Sequence, residues 1–235
     1  MNTATLRLRV AGENSLTIYL GDTSDPVINA RIQAAVAALQ AALSEEIIDL
    51  VPSYASILVI YRPFGPGYGE IARRIRDALQ SLQAHSTTAN RCITLPVYYA
   101  TESGADLQAL ASAAELSIDE VIALHSATVY RVYAIGFAPG FAYLGDVDPR
   151  IRAPRLATPR RAVPKGAVAI ADQQTAVYPA QSPGGWNIVG RCPTALFDPT
   201  STPPMPFAVG DQVQFEPISR AHYLSLGGEL ESALE

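Results

Sequence analysis

The sequence predicts an α+β protein, with an antiparallel sheet carrying two helices in its first part and a mainly β structure in its second. Three observations support this. Period-two strands alternate with helical periods over the first ninety residues, short apolar runs recur every eight to twelve residues after Val168, and the stretch Gly136 to Pro193 is too rich in glycine and proline for ordinary helices.

In chain order, LRLRV (Leu6 to Val10) and LTIYL (Leu16 to Leu20) alternate like strands, and Gly12, Glu13 and Asn14 between them supply a turn. Asp25 before Pro26 reads as a helix N-cap with proline in the first turn, followed by Ile28, Ile32, Val36, Leu39 and Leu43 along one face. IIDLV (Ile47 to Val51) and SILVIY (Ser56 to Tyr61) are joined by too few residues for a parallel crossover and predict a second hairpin. After Pro63, Gly65, Pro66 and Gly67, a second helix follows from Ile71, Ile75, Leu79 and Leu82, with Arg73, Arg74 and Arg76 on a solvated face. A domain boundary falls near Asn90, giving an α+β domain over residues 1–90 and a β domain with leading helices over residues 91–235.

In the second domain, CITLPVYY (Cys92 to Tyr99) adds an edge strand, since Pro96 is excluded from a central one. Residues 106–114 and 117–127 read as two short helices, the second begun by the Ser117/Glu120 capping box. The segments TVYRVYAIGF, VAIAD, TAVYP, WNIVG, TALF and DQVQFEP predict strands of a closed barrel or sandwich. A proline-rich excursion (Pro199 to Phe207) precedes the last strand, and a surface helix with a loose tail follows it.

Composition bounds the function. With 49% hydrophobic residues the chain has ample material for a core, and its net charge of -5 argues against a general nucleic-acid binder. No stretch approaches the roughly 18 consecutive apolar residues of a membrane span, and the N-terminus lacks a signal-peptide core, so a cytoplasmic location is expected. Cys92 and Cys192 stand far apart without metal-ligand spacing, which predicts buried free thiols and no metal site.

The chemistry-bearing residues gather in Gly136 to Pro193. Its cations are Arg150, Arg152, Arg155, Arg160, Arg161, Lys165 and Arg191, and no carboxylate occurs between Asp148 and Asp172, which suits an anionic ligand or partner. Tight turns account for Gly140 and for Gly184 with Gly185. Phe137, Phe141, Tyr143, Tyr178 and Trp186 frame those turns and either cover a core or wall a pocket. Arg155, Arg160 and Arg191 are candidates for anion contact or for structural ties to loop carbonyls. His125 is the best acid/base candidate by its titration range, against the alternative of a structural histidine. Tyr143, Tyr178 and Trp186 are candidate pocket walls.

The motifs GFAPGFAYLG, PRRAVPKGAVAIA, YPAQSPGGW and IVGRCP, with VPSYASILVIY and ALHSATVYRVYAIGF before them, resemble the family of the 5-oxoprolinase B subunit, also described as the KipI or allophanate-hydrolase-subunit-1 family. The likeness runs from Asn29 to Pro217. It implies a cyclophilin-like β-barrel for the second domain. It further implies a complex with a homologous C-type partner and a LamB/YcsF-like A-type partner that cleaves 5-oxoproline to glutamate using ATP. In such a complex a composite site is expected, with His125 and Arg191 as candidate catalytic residues and Tyr143, Arg155, Arg160, Tyr178, Gly184, Gly185 and Trp186 as candidate substrate or anion contacts. The resemblance leaves two alternatives open, a regulatory module that inhibits a sensor histidine kinase and a carboxyltransferase-type or allophanate-hydrolase-type component for another amide. Three positions depart from the family pattern: Cys192 for a usual Thr, Ala167 for a usual Ser, and Lys165, the sole lysine, where the family often has a small residue.

Overall fold

The structure, a computed structural model, describes residues 6–23, 25–80 and 91–230. It divides into two compact units, residues 1–90 and 91–235.

In the first unit β1 (Arg7–Gly12), β2 (Ser15–Tyr19), β3 (Ile47–Pro52) and β4 (Ser56–Tyr61) form an antiparallel sheet in the order β1-β2-β4-β3. Helices α1 (Pro26–Leu43) and α2 (Tyr68–Leu79) pack with it. The alternation read from the sequence is the reason: Leu16, Ile18, Ile57, Val59 and Tyr61 point to one face and meet Ile32 and Leu39 of α1 and Ile71 and Ile75 of α2. Asp25 caps α1 as its position predicts, its Oδ1 accepting from the Val27 and Ile28 amides at 2.8 and 2.9 Å. The expected apolar position Leu82 lies outside the described residues.

The second unit contains β5 (Cys92–Val97), α3 (Leu107–Ala113), α4 (Ile118–Ala127), β6 (Val129–Ile135), β7 (Ala142–Gly145), β8 (Arg160–Val163), β9 (Ala167–Ala171), β10 (Gln174–Val177), β11 (Ser182–Gly184), β12 (Asn187–Arg191), β13 (Gln212–Pro217) and α5 (Arg220–Ser225). Seven of these strands make one sheet in the order β12-β9-β10-β7-β6-β13-β5, antiparallel throughout except for the parallel pair β13 and β5. The sheet comes round on itself. Immediately after β5, Tyr98 donates its amide to the Arg191 carbonyl at 2.8 Å and accepts from the Arg191 amide at 3.0 Å, so the two outer strands meet in a barrel. Strands β8 and β11 form a separate two-stranded ribbon.

Strand β9 is buried on both faces, which explains its unbroken apolar reading, AVAIA. Val168 and Ile170 join the main core with Val132, Leu144, Val189 and Phe215, whereas Ala167, Ala169 and Ala171 face a second cluster around Phe141, Tyr178 and Trp186. The segment TALF is not a strand. Leu196 is sunk in the main core while Phe197 is exposed, and the chain there runs as a loop whose Leu196 carbonyl backs onto Gly140.

Asp106 clasps this architecture. It stands just before α3, and its carboxylate takes both Arg160 guanidinium nitrogens at 2.9 and 2.7 Å together with the Ile188 amide at 2.7 Å. Its own amide donates to the Ile188 carbonyl at 2.9 Å. One side chain thereby joins the start of α3, the edge of β12 and the ribbon strand β8.

His125 lies in the core, contrary to its expected acid/base role. It is fully buried on α4, its ring stacked on Phe215 at 4.7 Å between centroids and flanked by Tyr130 at 5.4 Å. Thr175 gives its hydroxyl proton to the Ala169 carbonyl at 3.0 Å, so the 2.9 Å contact with His125 is donated by Nε2–H. Nδ1 then accepts from the Tyr99 hydroxyl at 2.7 Å. Both ring nitrogens are occupied by core partners, and burial lowers the imidazole pKa from 6.5 to about 3. His125 is a neutral structural residue. The expectation of two buried thiols also needs correction: Cys192 is buried, but Cys92 is exposed at the start of an outer strand.

Two outcomes follow from these contacts. Replacing Asp106 by Ala leaves the Arg160 guanidinium and the Ile188 amide without their acceptor and should cost about 2 kcal/mol in urea unfolding. Asp106→Asn, which keeps an acceptor for the amide, should cost less. For His125, the unfolded chain takes up a proton near the ordinary value of 6.5 that the folded chain refuses until about 3. Its contribution to stability is therefore intact above 6.5 and is lost on acidification through that window. Between about pH 7 and about pH 5 the native protein should lose stability relative to His125→Phe, with a limiting slope of about 1.4 kcal/mol per pH unit. Parallel losses in the two proteins would contradict the neutral buried histidine.

Candidate functional site

Of the two readings of the aromatic residues, core cover and pocket wall, the structure shows a packed core. Phe141 meets the rings of Tyr143, Tyr178 and Trp186 edge-on, with centroids 4.9, 5.3 and 5.7 Å away. Tyr178 and Trp186 are only 2% and 5% exposed, and Tyr143 is half-buried. Burial pushes the Tyr178 phenol pKa up, although Arg155 and Arg160 pull it the other way. Gly184 passes directly over the Tyr178 hydroxyl, where a Cβ would collide, so the Pro-Gly-Gly turn serves this packing. Gly185 accepts the Leu156 amide at 2.7 Å. The glycines and aromatics are thus satisfied structurally, and Phe137, 63% exposed, is the part of the cluster that reaches the surface.

The three candidate arginines are not gathered in one place. Arg160 is held by Asp106, 54 positions away, and is a structural ion pair. Arg155 is exposed, with its guanidinium 5.8 Å from the Trp186 ring centroid. Arg191 and Trp186 flank β12 at opposite ends. Five residues of extended chain span on the order of 15 Å, so of the three candidate arginines Arg155 lies against the tryptophan and Arg191 lies away from it.

Arg191 instead belongs to a cleft of about 480 Å³ at the barrel rim, lined by Lys165, Gln181, Cys192, Tyr223 and Glu229 among others. The cleft is built by a turn. Gly166, with φ of +78°, donates to the Tyr178 carbonyl at 2.7 Å and accepts from the Cys192 amide at 2.8 Å. A Cβ at Gly166 would strike the Cys192 carbonyl, so both the backbone angle and the close approach call for glycine. The adjoining Lys165 carbonyl accepts from Arg191 Nη1 at 3.1 Å. The Arg191 side chain and the Cys192 amide are thus both bonded to the backbone of the Lys165–Gly166 turn. Tyr223, which also lines the cleft, meets Tyr98 in a tilted ring contact, 5.7 Å between centroids, and donates its hydroxyl to the Glu229 carbonyl at 3.0 Å. Burial raises the pKa values of Tyr223 and Cys192, so both remain protonated as neutral groups at neutral pH.

A second, more open groove of about 550 Å³ runs along Arg152, Ala153, Asp172 and Gln174. Neither this groove nor the rim cleft is lined by Tyr143, Arg155, Arg160 or Trp186. Gln181, Tyr223 and Glu229 were not legible as cleft residues, since two of them lie in the helix and tail after the last strand. The signal that pointed here was Lys165, the one lysine in the sequence. Among the described residues there is no group of three or more His, Cys, Asp or Glu placed to hold a metal ion, and no helix long and apolar enough to cross a membrane.

The chain can now be set beside known proteins. Residues 6–207 match the family pattern described as the carboxyltransferase domain, subdomain C and D. The chain is 33% identical to the B subunit of 5-oxoprolinase from Bacillus subtilis (strain 168) over 231 residues, which is 94% of this chain and 96% of that protein. The crystal structure of TTHA0988 superposes with a TM-score of 0.78 at 35% identity over 91% of this chain, and this chain spans 41% of the TTHA0988 chain. An uncharacterised protein from Pyrococcus horikoshii, PH0987, is matched over its full length at 39% identity and a TM-score of 0.55, with 92% of this chain covered. With most of its sequence matched, the chain belongs to the family of the carboxyltransferase domain, subdomain C and D, together with the B subunit of 5-oxoprolinase.

Proposed function

We propose that this chain is the B subunit of an ATP-dependent 5-oxoprolinase complex, which opens the lactam of 5-oxo-L-proline to L-glutamate with ATP hydrolysis. The observation that carries the reading is the near end-to-end similarity, covering 94% of this chain and 96% of a protein named as that subunit. Such a role implies partners, and the proposed ones are a homologous C-type chain and a LamB/YcsF-like A-type chain. In TTHA0988 the matching region is 41% of a longer chain, which accords with a fold that works in association with further sequence.

Coupling lactam opening to ATP proceeds by transfer of the γ-phosphoryl group to the amide oxygen with release of ADP. One water then attacks the activated carbon, with protonation and expulsion of the ring nitrogen to leave an acyl phosphate, and attack of a second water frees the carboxylate and inorganic phosphate. The residues of this chain fit part of such a scheme. Lys165 offers an exposed ammonium at a cleft that Arg191 also lines, whereas the sequence has no Walker loop on which triphosphate would lie. The buried, neutral His125 is out of reach for proton transfer to substrate. The reading therefore assigns this chain a wall of a composite site, with nucleotide bound by the assembly.

The test is reconstitution. The isolated chain is expected to release no ADP in response to 5-oxoproline, and to do so once both partner chains are added. Turnover by this chain alone would refute the composite site, and a silent full assembly would refute the 5-oxoprolinase reading. Within the active assembly His125→Phe should leave kcat within about twofold of the native value, as fits a residue that only packs.

A further inference from the structure

We propose that the groove along Arg152, Ala153, Asp172 and Gln173 is a binding site for a free α-amino acid in its zwitterionic form, with the ligand carboxylate on Arg152 and the ligand ammonium on Asp172. The proposal stands on this chain's own geometry and requires neither the partner chains nor the lactam chemistry.

The first support is the way the groove is fastened. Strands β9 and β10 are joined by Asp172 and Gln173 alone, because Ala171 pairs with Gln174. Main chain ties that turn on both sides. Asp172 donates its amide to the Ala153 carbonyl at 2.6 Å, and the Gln173 carbonyl accepts from the Val147 amide at 2.8 Å. Arg152 is brought to the same place, since its Nε donates to the Val147 carbonyl at 2.9 Å. Asn187 completes the frame, its Nδ2 donating to the carbonyls of Pro154 and Ile170 at 2.8 and 3.1 Å. The two charged residues therefore share a groove because of backbone bonds, and not because their charges hold them together.

The second support is what those charges leave undone. Arg152 and Asp172 line one groove, yet they form no ion pair with each other. With Nε engaged, the terminal guanidinium nitrogens of Arg152 make no hydrogen bond among the described residues. The field of Arg152 reaches Asp148, but that carboxylate is gripped by Arg150 at 3.0 and 2.8 Å. Asp172 has φ of +52°, a left-handed angle that aspartate adopts most readily when its side chain bonds the local backbone. Its carboxylate makes no such bond, nor any other among the described residues. Gln173, exposed beside it, adds a neutral donor and acceptor.

The charge pattern selects the ligand class. A simple anion would meet the guanidinium but be repelled by the carboxylate, and a simple cation the reverse, whereas a zwitterion is attracted at both ends. An α-amino acid carries the two charges on adjoining atoms, and about 550 Å³ leaves space for its side chain.

The experiment uses the full chain without partners. The common L-amino acids are titrated one at a time while backbone amide resonances are followed by NMR. Saturable shifts at Ala153, Asp172 and Gln173 are expected with at least one of them. The best ligand is then presented with its amino group acetylated and, separately, with its α-carboxylate amidated. Each block should weaken binding about tenfold, because each removes one charge-assisted contact. Asp172→Asn, which keeps the shape and tolerates the left-handed angle, should weaken the unblocked ligand about tenfold without further weakening the acetylated one. Arg152→Gln should act likewise on the unblocked ligand and spare the amidated one. A merely structural role would not produce that crossed pattern. Absence of saturable shifts with every amino acid, or binding indifferent to either block or to either substitution, would overturn the proposal. Because the measurement needs no turnover, its failure leaves the complex reading standing, and failure of reconstitution leaves this site standing.

Discussion

The two hydrogen bonds between Tyr98 and Arg191 turn an open sheet into a barrel, and the second unit depends on that closure. An open seven-stranded sheet would leave the outer edges of β5 and β12 with unpaired amides and carbonyls. The bridge joins the two edges where they meet, at one residue pair. It also explains why the strand bearing Pro96 stands at the end of the order: its antiparallel partner is met just beyond β5, past the residue that has no amide to give.

The closure has chemical consequences at its own position. Because Arg191 is the closing residue, its guanidinium is carried to the rim, where the Pro164 to Gly166 turn meets it and a cleft forms. Asp106 does comparable work farther along β12, replacing a neighbouring strand with a carboxylate and a main-chain amide. The strand is therefore fixed by three kinds of partner: strand β9, the Tyr98 main chain and a side chain.

What could be read from the sequence was whatever is encoded locally. Asp25 with Pro26, and Ser117 with Glu120, announce helix starts within four residues of chain, and both caps are present with side-chain bonds in place. The strands of the first unit were legible because one face is buried and the other is not. In the second unit β7, β8 and β11 escaped notice because they are three or four residues long and set among glycines and prolines. TALF looked like a strand from its apolar residues, yet Leu196 satisfies the core from a loop. The site was less legible than the fold. Both a structural and a functional role stayed open for Arg160 and His125, because nothing near Arg160 in sequence reveals its carboxylate, 54 positions earlier, and nothing near His125 reveals Thr175, 50 positions away, or Phe215. Long-range pairing of polar groups leaves no periodic trace.

The solitary lysine has a consequence for how the molecule meets reagents. Apart from the amino terminus, the sequence presents a single primary amine, that of Lys165, and the fold sets it in the open at the mouth of the rim cleft. Acylating or carbonyl-bearing compounds, including metabolites that modify lysines without an enzyme, therefore have one internal address on this chain. Any neutralising adduct there removes the one side-chain ammonium of the sequence.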